Sequence, residues 1–230
     1  MKKLLVVTVF SAVAFTSKAQ VYVQGGLNLA NITTTNSGQT SKSNILPTFN
    51  AGIMGRFGLS ETFDLESGLL FTGRGAKAET YFNGGNDYVK TRFNPLYLEV
   101  PLNLLFKIPV NTTGVGVFFN AGPYIAMGVA GKSKLDSRIA GIQSSSSNSI
   151  KFSNDDPLTS EQDDAAYNKL KRFDYGLNFG GGINFERFLL KANYGLGLAK
   201  INSTQSDNSV NDKNKYRTWS ILVGIPLSHK

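Results

Sequence analysis

The stretch RFNPLYLEVPLNLLFK (Arg92–Lys107) alternates apolar and mostly polar positions from Leu96 onward. Its polar positions include Glu99, Asn103 and Lys107. A period of two predicts a β-strand with one apolar face and one mostly polar face. A tilted strand needs about 9–11 residues to cross a bilayer, so this stretch is long enough to span a membrane. The side chains expected in lipid are Leu96, Leu98, Val100, Leu102, Leu104 and Phe106.

The same alternation recurs in seven further segments, which makes eight predicted strands. They are Val21–Ile32, Phe49–Leu59, Phe63–Arg74, Arg92–Lys107, Val115–Ala130, Phe173–Phe185, Phe188–Leu198 and Arg217–Leu227. Their connections alternate between short turns and long polar loops. The short ones are Leu59–Thr62, Ile108–Gly114 and Asn184–Arg187, and the long ones are Thr33–Leu46, Gly75–Thr91, Gly131–Leu170 and Lys200–Lys215.

An even number of antiparallel strands, with short turns at one end and long loops at the other, is typical of outer-membrane barrels. We therefore expect an all-β fold, an eight-stranded antiparallel up-and-down transmembrane β-barrel with short periplasmic turns and long extracellular loops. The SSSSNS run (Ser144–Ser149) is low in complexity, and we expect it to be mobile. The alternative is a soluble lipocalin-like barrel or sandwich, in which the apolar faces would line the inside.

The N-terminus has the pattern of a secretory signal peptide. Lys2 and Lys3 precede an apolar run, Leu4–Phe15, which is too short to span a bilayer. Small residues then lead to a predicted cleavage after Ala19, which makes Gln20 the first mature residue. We expect residues 1–19 to be the signal peptide and 20–230 to be the barrel domain, integral to the outer membrane of a Gram-negative cell.

The composition favours a barrel over an enzyme. The chain has no cysteine and a single histidine, His229, near the C-terminus. The usual base, thiol nucleophile and transition-metal ligands are thus scarce. Without Lys2, Lys3 and Lys18, 21 basic residues face 16 acidic ones, a net charge of about +5. We expect no enzymatic activity, no cofactor, no metal site and no nucleic-acid partner.

If the apolar faces meet lipid, seven charged side chains are predicted to point into the barrel. This lumen charge network comprises Arg56, Asp64, Glu66, Glu99, Arg172, Asp174 and Lys191. An eight-stranded barrel is just wide enough for side chains to fill it, and buried charges need partners. The network therefore favours a filled, rigid lumen. The alternative is a narrow ion or proton path along the carboxylates, a porin-like pore.

Basic residues also crowd the loop ends of the strands. The proposed set is Arg74, Arg92, Lys132, Lys171, Lys200 and Arg217. A cationic collar at the outer rim would meet the phosphates of lipopolysaccharide. The alternative is ordinary solubility charge on loops, since acidic residues occupy the same loops.

Several segments together resemble the PorT-like outer-membrane β-barrel family of Bacteroidetes. They are VQGGLNLANI (Val23–Ile32), YLEVPLNLLFK (Tyr97–Lys107), FDYGLNFGGGINF (Phe173–Phe185) and YGLGLAKI (Tyr194–Ile201), together with the Ala19–Gln20 junction. The resemblance implies an eight-stranded barrel in the outer membrane and, for most members of the family, no defined activity. Our interpretation is a monomer with a structural or surface-loop binding role. The resemblance allows a second role, as a subunit of an envelope secretion or assembly machine. The partners that we expect are outer-membrane lipid and lipopolysaccharide, the barrel-assembly machinery and other envelope proteins.

Overall fold

The structure, a computed structural model, describes residues 20–36, 39–108, 110, 114–153, 169–199, 201 and 214–227. The predicted signal peptide lies outside these residues. Gln20, the predicted first mature residue, begins the first strand. Within the described part of the chain, no helix is long and apolar enough to cross a bilayer.

Eight strands form the wall of a barrel. In chain order they are β1 (Gln20–Asn36), β2 (Leu46–Gly58), β3 (Phe63–Gly73), β4 (Asp87–Ile108), β5 (Val115–Ile139), β6 (Phe173–Phe185), β7 (Leu189–Gly197) and β8 (Lys215–Pro226). Shorter elements lie at the long-loop end. They are the strands Gln39–Lys42, Ala76–Phe82, Ile142–Ser149, Lys151–Ser153 and Lys169–Lys171, and a 3₁₀ turn at Asn83–Gly85.

Antiparallel pairing joins each wall strand to the next, and β8 returns to pair with β1. In the closing pair, Leu27 lies opposite Ile221. A closed sheet has no edge, so its backbone groups are satisfied without water. The predicted eight-stranded up-and-down barrel is therefore confirmed, and β6 has the predicted bounds, Phe173–Phe185.

The outer and inner faces of the wall have opposite chemistry. On β4, the outward side chain of Leu102 is 47% exposed, whereas the inward side chain of Asn103 is 1% exposed. A soluble lipocalin-like barrel would turn the apolar side chains inward, so the faces are those predicted for a membrane barrel. The outward run from Leu96 to Phe106 spans about 26 Å along the barrel axis, at ~3.4 Å per residue and a tilt of ~40°. An apolar band of about 25 Å is usual for such barrels.

Aromatic pairs flank this apolar band on its outer face. Rings at these two levels suit the boundaries between lipid and water, where aromatic belts are common. With their centroid distances, the pairs are Phe63–Phe106 (5.5 Å) and Phe185–Phe188 (4.6 Å) at the short-turn end, and Phe49–Phe71 (5.5 Å) and Tyr194–Trp219 (4.8 Å) at the long-loop end.

A four-stranded protruding sheet extends beyond the barrel at the long-loop end. Ala76–Phe82 pairs with the start of β4, which pairs with the end of β5, which pairs with Ile142–Ser149. The prediction of loops at Gly75–Thr91 and Gly131–Leu170 is therefore wrong for the residues in this sheet, among them the serine run Ser144–Ser149. The mobility of this run stays a prediction. Polar residues on both faces hide the period of two, whereas the pairing itself uses main-chain groups.

Replacing the outward Leu102 by arginine is expected to lower the free energy of unfolding by about 2–4 kcal/mol, the cost of a cation near the bilayer midplane. The control is Ile142→Arg, because Ile142 is 75% exposed and lies in the protruding sheet, beyond the apolar band. It should cost at most about 0.5 kcal/mol. Urea titration in lipid vesicles, followed by fluorescence of the single tryptophan, Trp219, measures both. Equal costs would contradict a lipid-embedded wall.

Candidate functional site

A first ion cluster, the Glu66 cluster, lies in the lumen toward the short-turn end. Arg56 Nε lies 3.0 Å from Glu66 Oε2, and Lys191 Nζ contacts Oε1. Tyr22 Oη donates a 2.6 Å hydrogen bond to Oε2, and Asn103 Nδ2 donates one of 3.1 Å to Oε1. Four donors thus surround one fully buried carboxylate. Two cations and one anion leave this cluster with a net charge of +1.

Strand register brings most of the Glu66 cluster together. Arg56 on β2 lies opposite Glu66 on β3, which lies opposite Asn103 on β4. Lys191 comes from β7, elsewhere in the wall. The Arg56 guanidinium also lies 4.4 Å from the ring centroid of Phe118, which shields the cation from solvent.

A second ion cluster, the Arg74 cluster, lies toward the long-loop end. Arg74 Nη2 contacts Glu99 Oε2, and Nη1 contacts Asp174 Oδ2. Nη1 also donates a 2.9 Å hydrogen bond to Tyr124 Oη, and the guanidinium lies 4.4 Å from the centroid of that ring. Asn178 Nδ2 donates a 3.1 Å hydrogen bond to Glu99 Oε1. One cation and two anions leave this cluster with a net charge of −1.

The two clusters offset each other, so their six charges sum to zero. Each carboxylate and each guanidinium is removed from water at a large desolvation cost, which only close partners recover. Loss of Glu66 or of Arg74 would leave two buried charges of the same sign without their shared partner. The clusters therefore stabilise one arrangement of the lumen and resist its opening.

Four apolar side chains from the loop segments close the lumen above the Arg74 cluster. This apolar cap consists of Ile150, Phe152, Leu170 and Ile201. It packs on Tyr97 and Tyr216, whose hydroxyl oxygens lie 3.2 Å apart. The main-chain N–H of Ile150 donates to the carbonyl of Gly131 at 3.0 Å, which ties the cap to the wall. Described residues from both ends of the predicted loop Gly131–Leu170 thus fold over the mouth.

A small polar cavity of about 30 Å³ lies between the two clusters. Its lining is rich in amide side chains, including Gln24, Asn28, Asn50, Asn178 and Asn193. This volume suits one or two water molecules, and amides supply the partners that buried water needs. The cavity is far too small for the aqueous channel of a large porin.

The structure places five of the seven predicted lumen charges in the two clusters. They are Arg56, Glu66 and Lys191 in the Glu66 cluster, and Glu99 and Asp174 in the Arg74 cluster. Asp64 is also buried but pairs separately, since Lys107 Nζ lies 2.7 Å from its Oδ1.

Two arginines do not lie where the sequence predicts them. Arg172 is exposed, and its Nη2 donates a 3.2 Å hydrogen bond to the carbonyl of Phe152, so its assignment to the lumen is wrong. The alternation of β6 begins at Phe173 and does not extend back to it. Arg74 is only 4% exposed, so its assignment to the outer collar is also wrong. It follows β3 directly and points inward, as the buried Thr72 does.

The remaining collar residues are dispersed. Arg92 and Lys132 are exposed on the protruding sheet, and Lys171 is exposed beside the apolar cap. Arg217 is half-buried, because its Nη1 donates to two main-chain carbonyls at 2.8 Å each. Lys200 lies outside the described residues.

The sequence reasoning missed the tyrosines of the lumen. Tyr22 and Tyr124 hydrogen-bond within the ion clusters, and Tyr97 and Tyr216 separate the Arg74 cluster from the apolar cap. Three of them, Tyr22, Tyr97 and Tyr124, occupy inward positions between apolar outward neighbours, which is the signal that could have identified them. Tyr216 lies between Lys215 and Arg217, so its neighbours give no such signal. A tyrosine fills space with its ring and satisfies buried charges with its hydroxyl.

The lumen offers charge pairing and hydrogen bonding. In the part of the chain that the structure describes, no group of three or more His, Cys, Asp and Glu side chains is placed to hold a metal ion. The single histidine, His229, lies outside that part.

A family model described as outer membrane protein beta-barrel domain matches residues 11–203. The matched range contains β1–β7, and the strand that closes the barrel, β8, follows it. No match is found among curated proteins.

Solved structures similar to this chain include three barrel proteins. The attachment invasion locus protein Ail of Yersinia pestis is 17% identical, with 91% of this chain and 99% of that chain covered and a TM-score of 0.39. Neisserial surface protein A is 13% identical over 90% and 97% of the chains, with a TM-score of 0.40. The N-terminal β-barrel domain of OprF of Pseudomonas aeruginosa is 10% identical over 91% and 100%, with a TM-score of 0.31.

Replacing Glu66 by glutamine is expected to destabilise the barrel by about 3–5 kcal/mol, because it leaves the buried cations of Arg56 and Lys191 without their carboxylate. The matched control is Lys191→Met, which should cost much less, since Glu66 keeps its contacts with Arg56, Tyr22 and Asn103. Urea midpoints in lipid vesicles measure both effects. A Glu66→Gln barrel as stable as the Lys191→Met barrel would contradict the paired-charge account.

Proposed function

Because the chain belongs to the outer membrane protein beta-barrel domain family, we propose that it is a non-conducting outer-membrane anchor that presents its protruding sheet to partners at the cell surface. The observation that carries this proposal is the filled lumen, with two ion clusters and an apolar cap in series. A barrel filled in this way holds a surface structure firmly but gives ions no open path.

The Arg74 cluster supports the non-conducting role. Glu99 and Asp174 are the carboxylates that an ion path would need, and both are engaged by Arg74. A passing cation would have to displace a buried guanidinium that also stacks on Tyr124. The apolar cap adds a barrier that a hydrated ion crosses poorly. The narrow-channel alternative therefore lacks a specific supporting observation.

The protruding sheet supports the binding role. Large side chains are exposed at its tip, among them Tyr81, Phe82, Ile139 and Ile142. They flank the two turns at Asn83–Gly85 and Ala140–Gly141, at the greatest distance from the barrel along these strands. Exposed apolar groups concentrated in this way mark surfaces that bind other molecules.

Purified barrel inserted into planar bilayers is expected to give no single-channel steps, because its lumen is filled. Folding of the protein is verified by the gel shift between boiled and unboiled samples, and an established porin in the same lipid is the positive control. Regular conductance steps from the wild-type chain would overturn the proposal in favour of a narrow channel.

The PorT-like resemblance allows a second candidate role, as a subunit of an envelope secretion or assembly machine. The observation that favours this role is an unpaired edge of the protruding sheet. Among the described strands, Ile142–Ser149 pairs only with β5, so its other edge is open to a partner strand. Stoichiometric co-purification of envelope proteins from native membranes is the expected result for this role. A barrel that purifies alone under mild detergent would contradict it.

A further inference from the structure

One face of the protruding sheet continues the lipid-facing surface of the barrel. Along β4, the outward positions lead from Leu96 to Asn94, Arg92 and Lys90, whereas the intervening Phe93 is buried toward the apolar cap. This outer face therefore begins where the apolar band ends.

A β-bulge places basic residues of β5 on the same face. The register of β4 with β5 shifts between Leu96 and Tyr97, which reverses the inward and outward positions on β5 beyond that point. Lys132 then lies opposite Asn94, and Lys134 lies opposite Arg92. Without the bulge, the two lysines would point to the other face of the sheet.

The outer face of the protruding sheet carries six cations and two anions. The cations are Lys77, Lys90, Arg92, Lys132, Lys134 and Arg138, and the anions are Glu79 and Asp136. The anions compensate the part of the face that is farther from the barrel. Lys90 lies opposite both of them, and Lys77 Nζ lies 3.2 Å from Glu79 Oε1. The hydrogen bond with Lys77, aided by one from Tyr81, lowers the pKa of Glu79, so this carboxylate stays charged.

Nearest the barrel, the cations other than Lys77 are uncompensated; Lys77 lies opposite Arg92 and pairs with Glu79. Arg92, Lys132 and Lys134, with Asn94, form a square of donors on two neighbouring strands, which we call the basic box. Among the described residues, none of its three cations has an ion-pair partner. Like charges on directly opposed residues repel each other, as Arg92 and Lys134 do here. An anion bound between them would relieve this repulsion.

The height of the basic box identifies the anion it would meet. Asn94 and Arg92 lie two and four residues beyond Leu96, which is about 5 and 10 Å above the apolar band for a tilted strand. This is the headgroup level of the long-loop, extracellular leaflet, where the hydrocarbon core gives way to polar groups. Lysine and arginine together bind phosphate with charge-assisted hydrogen bonds.

We propose that the basic box binds a phosphate group of lipopolysaccharide in the outer leaflet. The inference rests on the proposed outer-membrane anchor and names one partner of it. It replaces the collar predicted from the sequence, because Arg74 lies in the lumen and Arg217 binds main-chain carbonyls. The bound lipid would brace the base of the protruding sheet against the membrane surface.

The test compares two triple variants of the full chain with the same loss of charge. The box variant is Arg92→Gln/Lys132→Gln/Lys134→Gln, and the control variant is Lys77→Gln/Lys90→Gln/Arg138→Gln. Each is refolded in detergent free of lipopolysaccharide, and its Kd for purified lipopolysaccharide is measured. The box variant should bind about tenfold or more weakly than wild type, since each lost charged hydrogen bond costs roughly that factor. The Kd of the control variant should stay within about twofold of the wild-type Kd.

Three further probes identify the source of the phosphate. Wild-type protein should bind dephosphorylated lipopolysaccharide about as weakly as the box variant binds the intact lipid. Inorganic phosphate and phosphatidylglycerol vesicles should compete poorly. Equal weakening of both triple variants, or equal binding of the dephosphorylated lipid, would overturn the proposal. Effective competition by phosphatidylglycerol or by free phosphate would overturn the assignment to lipopolysaccharide.

Conductance and the boiled-against-unboiled gel shift are measured on the same preparations. A folded, silent box variant that retains lipopolysaccharide at wild-type affinity overturns this inference and leaves the anchor role intact. A conducting wild-type barrel overturns the anchor role, whatever the lipid affinities are.

Discussion

Every main-chain amide in the barrel wall needs a partner on a neighbouring strand, because the interior of a bilayer offers none. The pairing of β8 with β1 meets this requirement by closing the sheet. Closure then determines where each side chain points, since alternate residues of a strand face opposite sides of the wall. Because apolar residues occupy the outward positions, the charged side chains of the wall point into the lumen.

Because the lumen is narrow, each ion cluster relies on the other to neutralise its net charge. The Glu66 cluster carries one positive charge too many and the Arg74 cluster one negative charge too many, so neither is neutral by itself. The partners come from distant parts of the chain. Arg74 meets Asp174 across 100 residues, and Lys191 meets Glu66 across 125. The contents of the lumen thus hold the wall together and resist passage through it, which supports the anchor role.

The same two strands, β4 and β5, build both the wall and the protruding sheet. The register shift at Leu96 and Tyr97 lies at the boundary between the barrel wall and the protruding sheet. It turns Lys132 and Lys134 toward the outer face of the protruding sheet, which is continuous with the lipid-facing surface of the wall. One irregularity in hydrogen bonding thereby gives the sheet a basic side at the level of the lipid headgroups, although no side chain at the bulge itself is charged.

The alternation along each strand is a local property, and it predicted the eight wall strands and the lumen positions of Glu66, Glu99, Asp174 and Lys191. It failed where strands continue without an apolar face, as in Ile142–Ser149, and beyond the start of β6, at Arg172. At Arg74 the alternation gave the inward face correctly, and the assignment to the collar was the error. A residue's own neighbours tell which side of a wall it faces. Which lumen charges meet, and which side the lysines beyond the bulge face, depends on the register between strands far apart in the chain, and only the closed sheet determines that register.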